Sequence, residues 1–194
     1  MRMTPGCKRG CKEGQRLFTS DEFYRMGESD GFGPEERVEL VGGLICTMTP
    51  INPRHADAVE FLVEELRRAL NGRAKVRTQE PVHLDGKSDP QPDVAVVMPR
   101  PYGYLDRHPQ PREIFLLAEV SDSTARYDKT VKVPGYAMSG VPEVWVVDLL
   151  ERAVVVYREP SDGRYLSEQS VSHGEAVSPM AFSDLAIPVS RFIR

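Results

Sequence analysis

The spacing of hydrophobic and polar positions changes several times along the chain, and each change marks an element. Thr19, followed three residues later by Glu22, reads as a capping box that opens a short helix carrying Phe23, Tyr24 and Met26. Gly27 to Pro34 reads as a loop. In RVELVGGLICTM two β-prone arms flank Gly42-Gly43, a pair that suits the tight turn of a hairpin. From His55 to Leu70, apolar Ala58, Phe61, Leu62, Leu66, Ala69 and Leu70 recur at three- and four-residue steps. Glu60, Glu64, Arg67 and Arg68 fill the other face, so the segment predicts an amphipathic helix. It opens at Asn52-Pro53 and closes at Asn71-Gly72 in a left-handed cap.

The pattern then becomes strand-like. AKVRTQEPVHL predicts a strand broken by Pro81, DGKSDPQP a loop, and DVAVVM a buried strand. After the Pro-rich loop PRPYGYLDRHPQPRE comes a second apolar run, IFLLAEV, and then a helical stretch from about Ser123 to Ser139. EVWVVDL and AVVVYRE predict two more strands, and RYLSEQSVS, AVSPM and DLAIPVSRFI short strands that close the sheet. This order predicts an α/β (α+β) domain, one mixed central β-sheet flanked by helices. At 194 residues the chain fits a single domain over residues 17–194, preceded by a disordered tail over residues 1–16.

Charge and composition narrow the function classes. A formal net charge of −4 argues against coating nucleic acid by bulk attraction, but leaves room for an enzyme with a local basic patch. Arg67, Arg68, Arg73, Lys75 and Arg77 are one candidate patch; they also fit a solvated helix end running into an exposed strand. The three cysteines, Cys7, Cys11 and Cys46, point to reduced thiols. Cys7 and Cys11 have no second Cys or His pair at zinc-finger spacing. No run approaches the roughly 18 apolar residues of a membrane span, and the basic N-terminus has no apolar stretch behind it, so a cytoplasmic address is expected.

The chemically informative feature is acid placed in apolar strands. Glu119 interrupts IFLLAEV, and Asp93 opens DVAVVM directly after a proline. An ionised carboxylate left buried and unpaired is costly, so such residues meet a cation or sit at a mouth of the fold. Acids at the ends of neighbouring buried strands can converge, and hard oxygen ligands suit Mg²⁺ or Mn²⁺ rather than zinc. The plainer alternative is that Asp93 terminates a loop and Glu119 pairs with an arginine such as Arg126.

The run QPDVAVV, followed by IFLLAEVSDSTARYDKTVKVPGYAMSGVPEVWVVDLLERAVVVYR, resembles the Uma-two family of restriction endonuclease-like proteins, within the PD-(D/E)XK nuclease superfamily. With RVELVGGLICTM and the PRH helix start, the resemblance spans roughly residues 19 to 192. It implies a restriction-endonuclease-like core and a site built from Glu39, Asp93, Glu119 and Lys132, with Asp93, Glu119 and Glu39 as metal ligands and Tyr136 one helical turn beyond the lysine. Two departures stand out. The superfamily places lysine two residues after the strand carboxylate, where this chain has Ser121, and Pro134-Gly135 follows Lys132 closely enough to kink the helix, which leaves Lys129 as a reserve lysine. His55, at a helix start where the family also carries histidine, fits either a buttress to a carboxylate or a phosphate contact, and equally a cap.

The expected function is a Mg²⁺-dependent (or Mn²⁺-dependent) endonuclease that hydrolyses phosphodiester bonds in DNA, with homodimerisation a further expectation. Two alternatives belong to other classes: a catalytically inactive nuclease-fold module that binds nucleic acid or a protein partner, and a hydrolase of small phosphate esters. Tyr136 and Trp145 read as core or groove residues, and Asp148 as a turn former. Gly31-Phe32-Gly33 is too bare for a nucleotide site.

Overall fold

The apolar runs VAVV, IFLLAEVS and EVWVVD become three adjacent strands at the centre of one sheet, buried on both faces, as near-continuous apolar sequence requires. The computed structural model describes residues 15–122 and 125–194. Cys7, Cys11 and nearly all of the expected tail lie outside the described residues.

In chain order the elements are α1 (Ser20–Glu28), β1 (Val38–Val41), β2 (Leu44–Thr47), α2 (Pro53–Leu70), β3 (Lys75–Thr78), β4 (Val94–Val97) and β5 (Ile114–Ser121). A composite helix follows: α3 (Ala125–Tyr127), a π-helical turn (Asp128–Lys132) and α4 (Val133–Met138). Then come β6 (Glu143–Asp148), β7 (Ala153–Ser161), β8 (Arg164–Ser172), β9 (Ala176–Val177) and β10 (Ile187–Pro188). The central six-stranded sheet has the order β3-β4-β5-β6-β7-β8. Its pairs are antiparallel except β5 with β6, which run parallel across the composite helix. A parallel pair needs such a crossover because both strands must start from the same edge.

Strand alternation distributes the core. Val94, Val96, Leu116, Ala118 and Val120 face α2 with Leu62, Leu66 and Leu70, while Ala95, Val97, Leu117, Val144 and Val146 face the composite helix with Val133 and Tyr136. Each helix thus covers one face of the sheet.

Local signals in the sequence are realised with few changes. Thr19 and Glu22 form the expected capping box, Asn52 caps α2 by accepting from the His55 amide at 2.9 Å, and Asn71 ends it at φ 46°. Gly42 and Gly43 take φ values of 59° and 82°, the left-handed conformations a two-residue hairpin turn demands. Gly27 belongs to α1 rather than to the loop after it. The expected long strand from Ala74 stops at Thr78, because Gln79 turns to φ 50° before Pro81 is reached. β9 and β10 pair in a separate ribbon instead of closing the sheet.

Three of the five residues of the candidate basic patch are held in ion pairs. Arg68 pairs with Glu65, Arg73 with Asp184 at 2.9 Å, and Arg77, itself buried, with Glu80. Among the described residues, no helix is long and apolar enough to cross a membrane.

Candidate active site

β4 and β5 bring the two strand acids together by register. Val94 pairs with Ala118 and Ala95 with Leu117, so the antiparallel ladder carried one step further sets Asp93 opposite Glu119. Residues 93, 95 and 97 share one face with 117 and 119, the face under the composite helix. The backbone locks this approach, since the Val120 amide donates to Asp93 Oδ2 at 2.8 Å.

Asp93 is held from two further sides. His55 Nε2, at the start of α2, lies 3.1 Å from Asp93 Oδ2, and Gln79 Nε2 donates to Oδ1 at 3.2 Å. Burial alone would raise the Asp93 carboxyl, yet His55, the Val120 amide and Gln79 together hold it below its ordinary value. The same hydrogen bond, against the opposing effect of burial, moves the His55 imidazole upward.

Glu39 arrives from the β1–β2 hairpin. The hairpin is pinned to the loop before β4 by Gly43 N to Lys87 O at 2.7 Å and Asp89 N to Leu40 O at 2.8 Å. Its carboxylate accepts from the Gln91 amide at 3.0 Å, so the segment that delivers Asp93 also positions Glu39.

The composite helix supplies the cation. Lys132 Nζ lies 3.2 Å from Glu39 Oε2 and 3.3 Å from Glu119 Oε1, with its side chain only 8% exposed. Tyr136, one turn on, donates its hydroxyl to Glu119 Oε1. Lys129 points away and pairs with Asp148 at 3.2 Å, so Lys132 is the lysine that reaches the acids. Pro134 does not break the helix: a π-helical turn precedes it, closed by Val133 N to Asp128 O, and Pro134 falls in the first turn of α4, where its missing N–H costs little. Glu119 therefore pairs with Lys132, not with Arg126, which is exposed.

Burial pushes the Glu119 carboxyl up to about 8; Lys132 opposes this, while Asp128, Asp93 and Glu39 add to it. Burial would lower Lys132, but Glu119, Glu39, Asp128 and Asp93 hold its ammonium well above the usual range. The acids around the pocket act in the same direction on both groups, raising Glu119 further and holding the proton on Lys132. Among the described residues, no three His, Cys, Asp or Glu side chains already stand as a metal-ligand set; Lys132 lies between Glu39 and Glu119 instead.

Sequence reasoning missed two members of the site. Asp128 is buried, accepts from Ser121 Oγ at 2.7 Å, and lines the same pocket of about 500 Å³. Its four-residue spacing from Lys132 was a legible signal, since such pairs share a helix face. Gln79 carried none, because its left-handed turn is set by packing. Trp145 is a buried core residue whose Nε1 donates to Glu143, and Asp148 forms the turn expected of it by accepting from the Leu150 and Glu151 amides.

No curated protein matches this chain. A crystal structure of a "putative nuclease belonging to DUF820" from Anabaena variabilis superposes with a TM-score of 0.71 over 91% of this chain and 97% of that one, at 17% identity, a likeness of fold. The Uma2 family, described as "Putative restriction endonuclease", matches residues 20–190. With that match running from α1 to the last turn of the chain, the protein belongs to the Uma2 family of restriction endonuclease-like proteins.

Proposed function

We propose that this chain is a Mg²⁺- or Mn²⁺-dependent endonuclease that hydrolyses phosphodiester bonds in DNA, acting through Asp93, Glu119, Glu39 and Lys132. The observation that carries the reading is the convergence of these four side chains, from four separate elements, on one open pocket. The donor set fits a hard divalent ion. The candidate ligands Asp93, Glu119 and Glu39 all present carboxylate oxygens, and four acids, these three with Asp128, surround the single Lys132 ammonium. Buried acid in excess must be offset by a proton or a cation, and the upward shift of Glu119 is the proton's side of that balance, which a bound divalent ion would replace.

When bound there, a divalent ion would lower the pKa of a water and offset charge on the phosphoryl group. The residues of the chain divide the remaining work. His55, Gln79 and the Val120 amide fix the orientation of Asp93, as outer partners do for ligands. Tyr136 holds Glu119, and the hairpin delivers Glu39. Lys132 supplies a compact positive charge at the place where charge develops on the phosphate, and Ser121 leaves the usual lysine position free for it.

Calorimetric titration with Mn²⁺, together with cleavage of single- and double-stranded DNA, tests the proposal. Wild type should bind and cut; Asp93→Ala with Glu119→Ala should do neither while keeping its circular dichroism spectrum. Equal Mn²⁺ binding by wild type and the double variant would remove the site. Metal binding without cleavage of any DNA would favour the inactive, nucleic-acid-binding reading.

A further inference from the structure

The mouth of the pocket differs in character from its floor. The floor is charged, but Ile45, Met48, Ile51 and Tyr127 line the approach, with Ile51 40% and Tyr127 37% exposed. An exposed aromatic ring beside buried catalytic groups is a platform on which a base can stack. Tyr127 and Cys46 of β2 line the same pocket, so the ring faces the hairpin that carries Glu39.

Arg37 also lines this mouth, and among the described residues its exposed guanidinium has no carboxylate partner. The hairpin ladder extends to it through Met48 N to Arg37 O at 2.8 Å. Arg37 is therefore two positions before Glu39 on the same strand face, about 7 Å away along the strand. It can meet a phosphate next to the one at the acids.

The surroundings disfavour a duplex. The pocket continues at Ile51 and Gln79 into a groove of about 370 Å³ along α2, which carries Glu60 and Glu64 against one cation, Arg67, whose guanidinium donates to the Val76 carbonyl at 3.5 Å. A second strand or a long backbone laid there would meet two carboxylates for one guanidinium. Arginines that could have formed a broad basic face, such as Arg54, Arg73 and Arg77, are held in ion pairs with Asp122, Asp184 and Glu80. Duplex binding draws its affinity from many such cations, whereas a single strand can be held by stacking with few.

Building on the nuclease reading above, we infer that the site takes an unpaired DNA strand, Arg37 gripping a phosphate that flanks the scissile one and the Tyr127 ring stacking on a base. The pocket, at about 500 Å³, is within the range that encloses a small ligand, which suits one splayed nucleotide rather than a helix of stacked pairs.

The test is fluorescence anisotropy of the full chain in Ca²⁺ with a labelled mixed-sequence oligonucleotide, presented as a single strand and as its blunt duplex, with cleavage in Mn²⁺ followed in parallel. The single strand should bind at least about ten-fold tighter than the duplex. Tyr127→Ala should weaken it by roughly ten-fold and Tyr127→Phe should not, since stacking needs only the ring. Arg37→Ala should reduce the salt dependence by about 0.7 in log–log slope, the value for one phosphate contact on a single strand. A duplex bound as tightly as the single strand, or Arg37 and Tyr127 variants that bind like wild type, would overturn the inference. If such variants still cut DNA, the nuclease reading survives alone; if the single strand binds through both residues and is never cut, the strand inference survives alone. No binding of any single strand sinks it outright.

Discussion

Lys132 Nζ stands 3.3 Å from Glu119 Oε1, yet the two residues come from different elements, the π-helical turn and β5. The contact joins the composite helix to the sheet at the point where the acids gather, and both side chains are almost fully buried there.

Removing that ammonium should be costly to the fold and fatal to activity. Lys132→Met leaves Glu39 and Glu119 buried without their cation, and breaking a buried pair in this way costs about 3 kcal/mol or more. Lys129→Ala, which loses only a partly exposed pair with Asp148, should cost less than about 1 kcal/mol and keep DNA cleavage. Thermal unfolding in EDTA should separate the two. Added Mn²⁺ should raise the melting temperature of Lys132→Met more than that of wild type, because the excess acid it leaves behind is what the ion offsets.

At Gln79 the backbone and the side chain can be tested apart. Its φ of 50° is left-handed, which a Cβ disfavours by roughly 1 kcal/mol, while its amide holds Asp93. Gln79→Gly should relieve the backbone and lose the hydrogen bond, whereas Gln79→Ala loses the bond and keeps the strain. Urea denaturation should therefore rank the glycine variant above the alanine variant. Metal affinity should fall in both.

Away from the site, Glu143 is fully buried and accepts from Trp145 Nε1 at 3.0 Å, Arg158 Nε at 2.9 Å and the Met180 amide at 2.6 Å. It ties β6, β7 and the C-terminal segment together. Arg158→Met strands that carboxylate and should cost about 3 to 5 kcal/mol in urea unfolding. A loss below 1 kcal/mol would show that the pair does not hold the segment.

Acid stability should respond at Glu113. The Arg107 guanidinium beside it brings its carboxyl down to about 2, from an ordinary value of 4.5. A carboxylate depressed on folding adds stability that is complete above the unfolded value and fades as pH falls toward the folded one. The contribution should thus disappear between about pH 4.5 and 2. Arg107→Met should shift the acid unfolding midpoint to higher pH and leave unfolding at pH 7.5 and above with the same denaturant slope.

The strands and helices were legible because their signals are local. Glu22 three residues after Thr19, two glycines between β-prone arms, and an apolar stripe at helical spacing each act within one turn or hairpin. The acids Asp93 and Glu119 stood out for a related reason, since charge inside an apolar run is anomalous wherever the run folds. Gln79 and Arg37 did not stand out: one depends on a left-handed turn set by packing, the other on the lack of a partner, which only coordinates reveal.

By itself the sequence determined the apolar strands, the caps and the residue types of the site, because each follows from neighbours along the chain. Tertiary structure alone decided that register sets Asp93 across from Glu119, that a π-helical turn aims Lys132 rather than Lys129 at them, and that Arg73 and Arg77 near β3 are held in ion pairs. Those outcomes depend on distances between segments far apart in sequence, and such distances are fixed only when the helices close over both faces of the sheet.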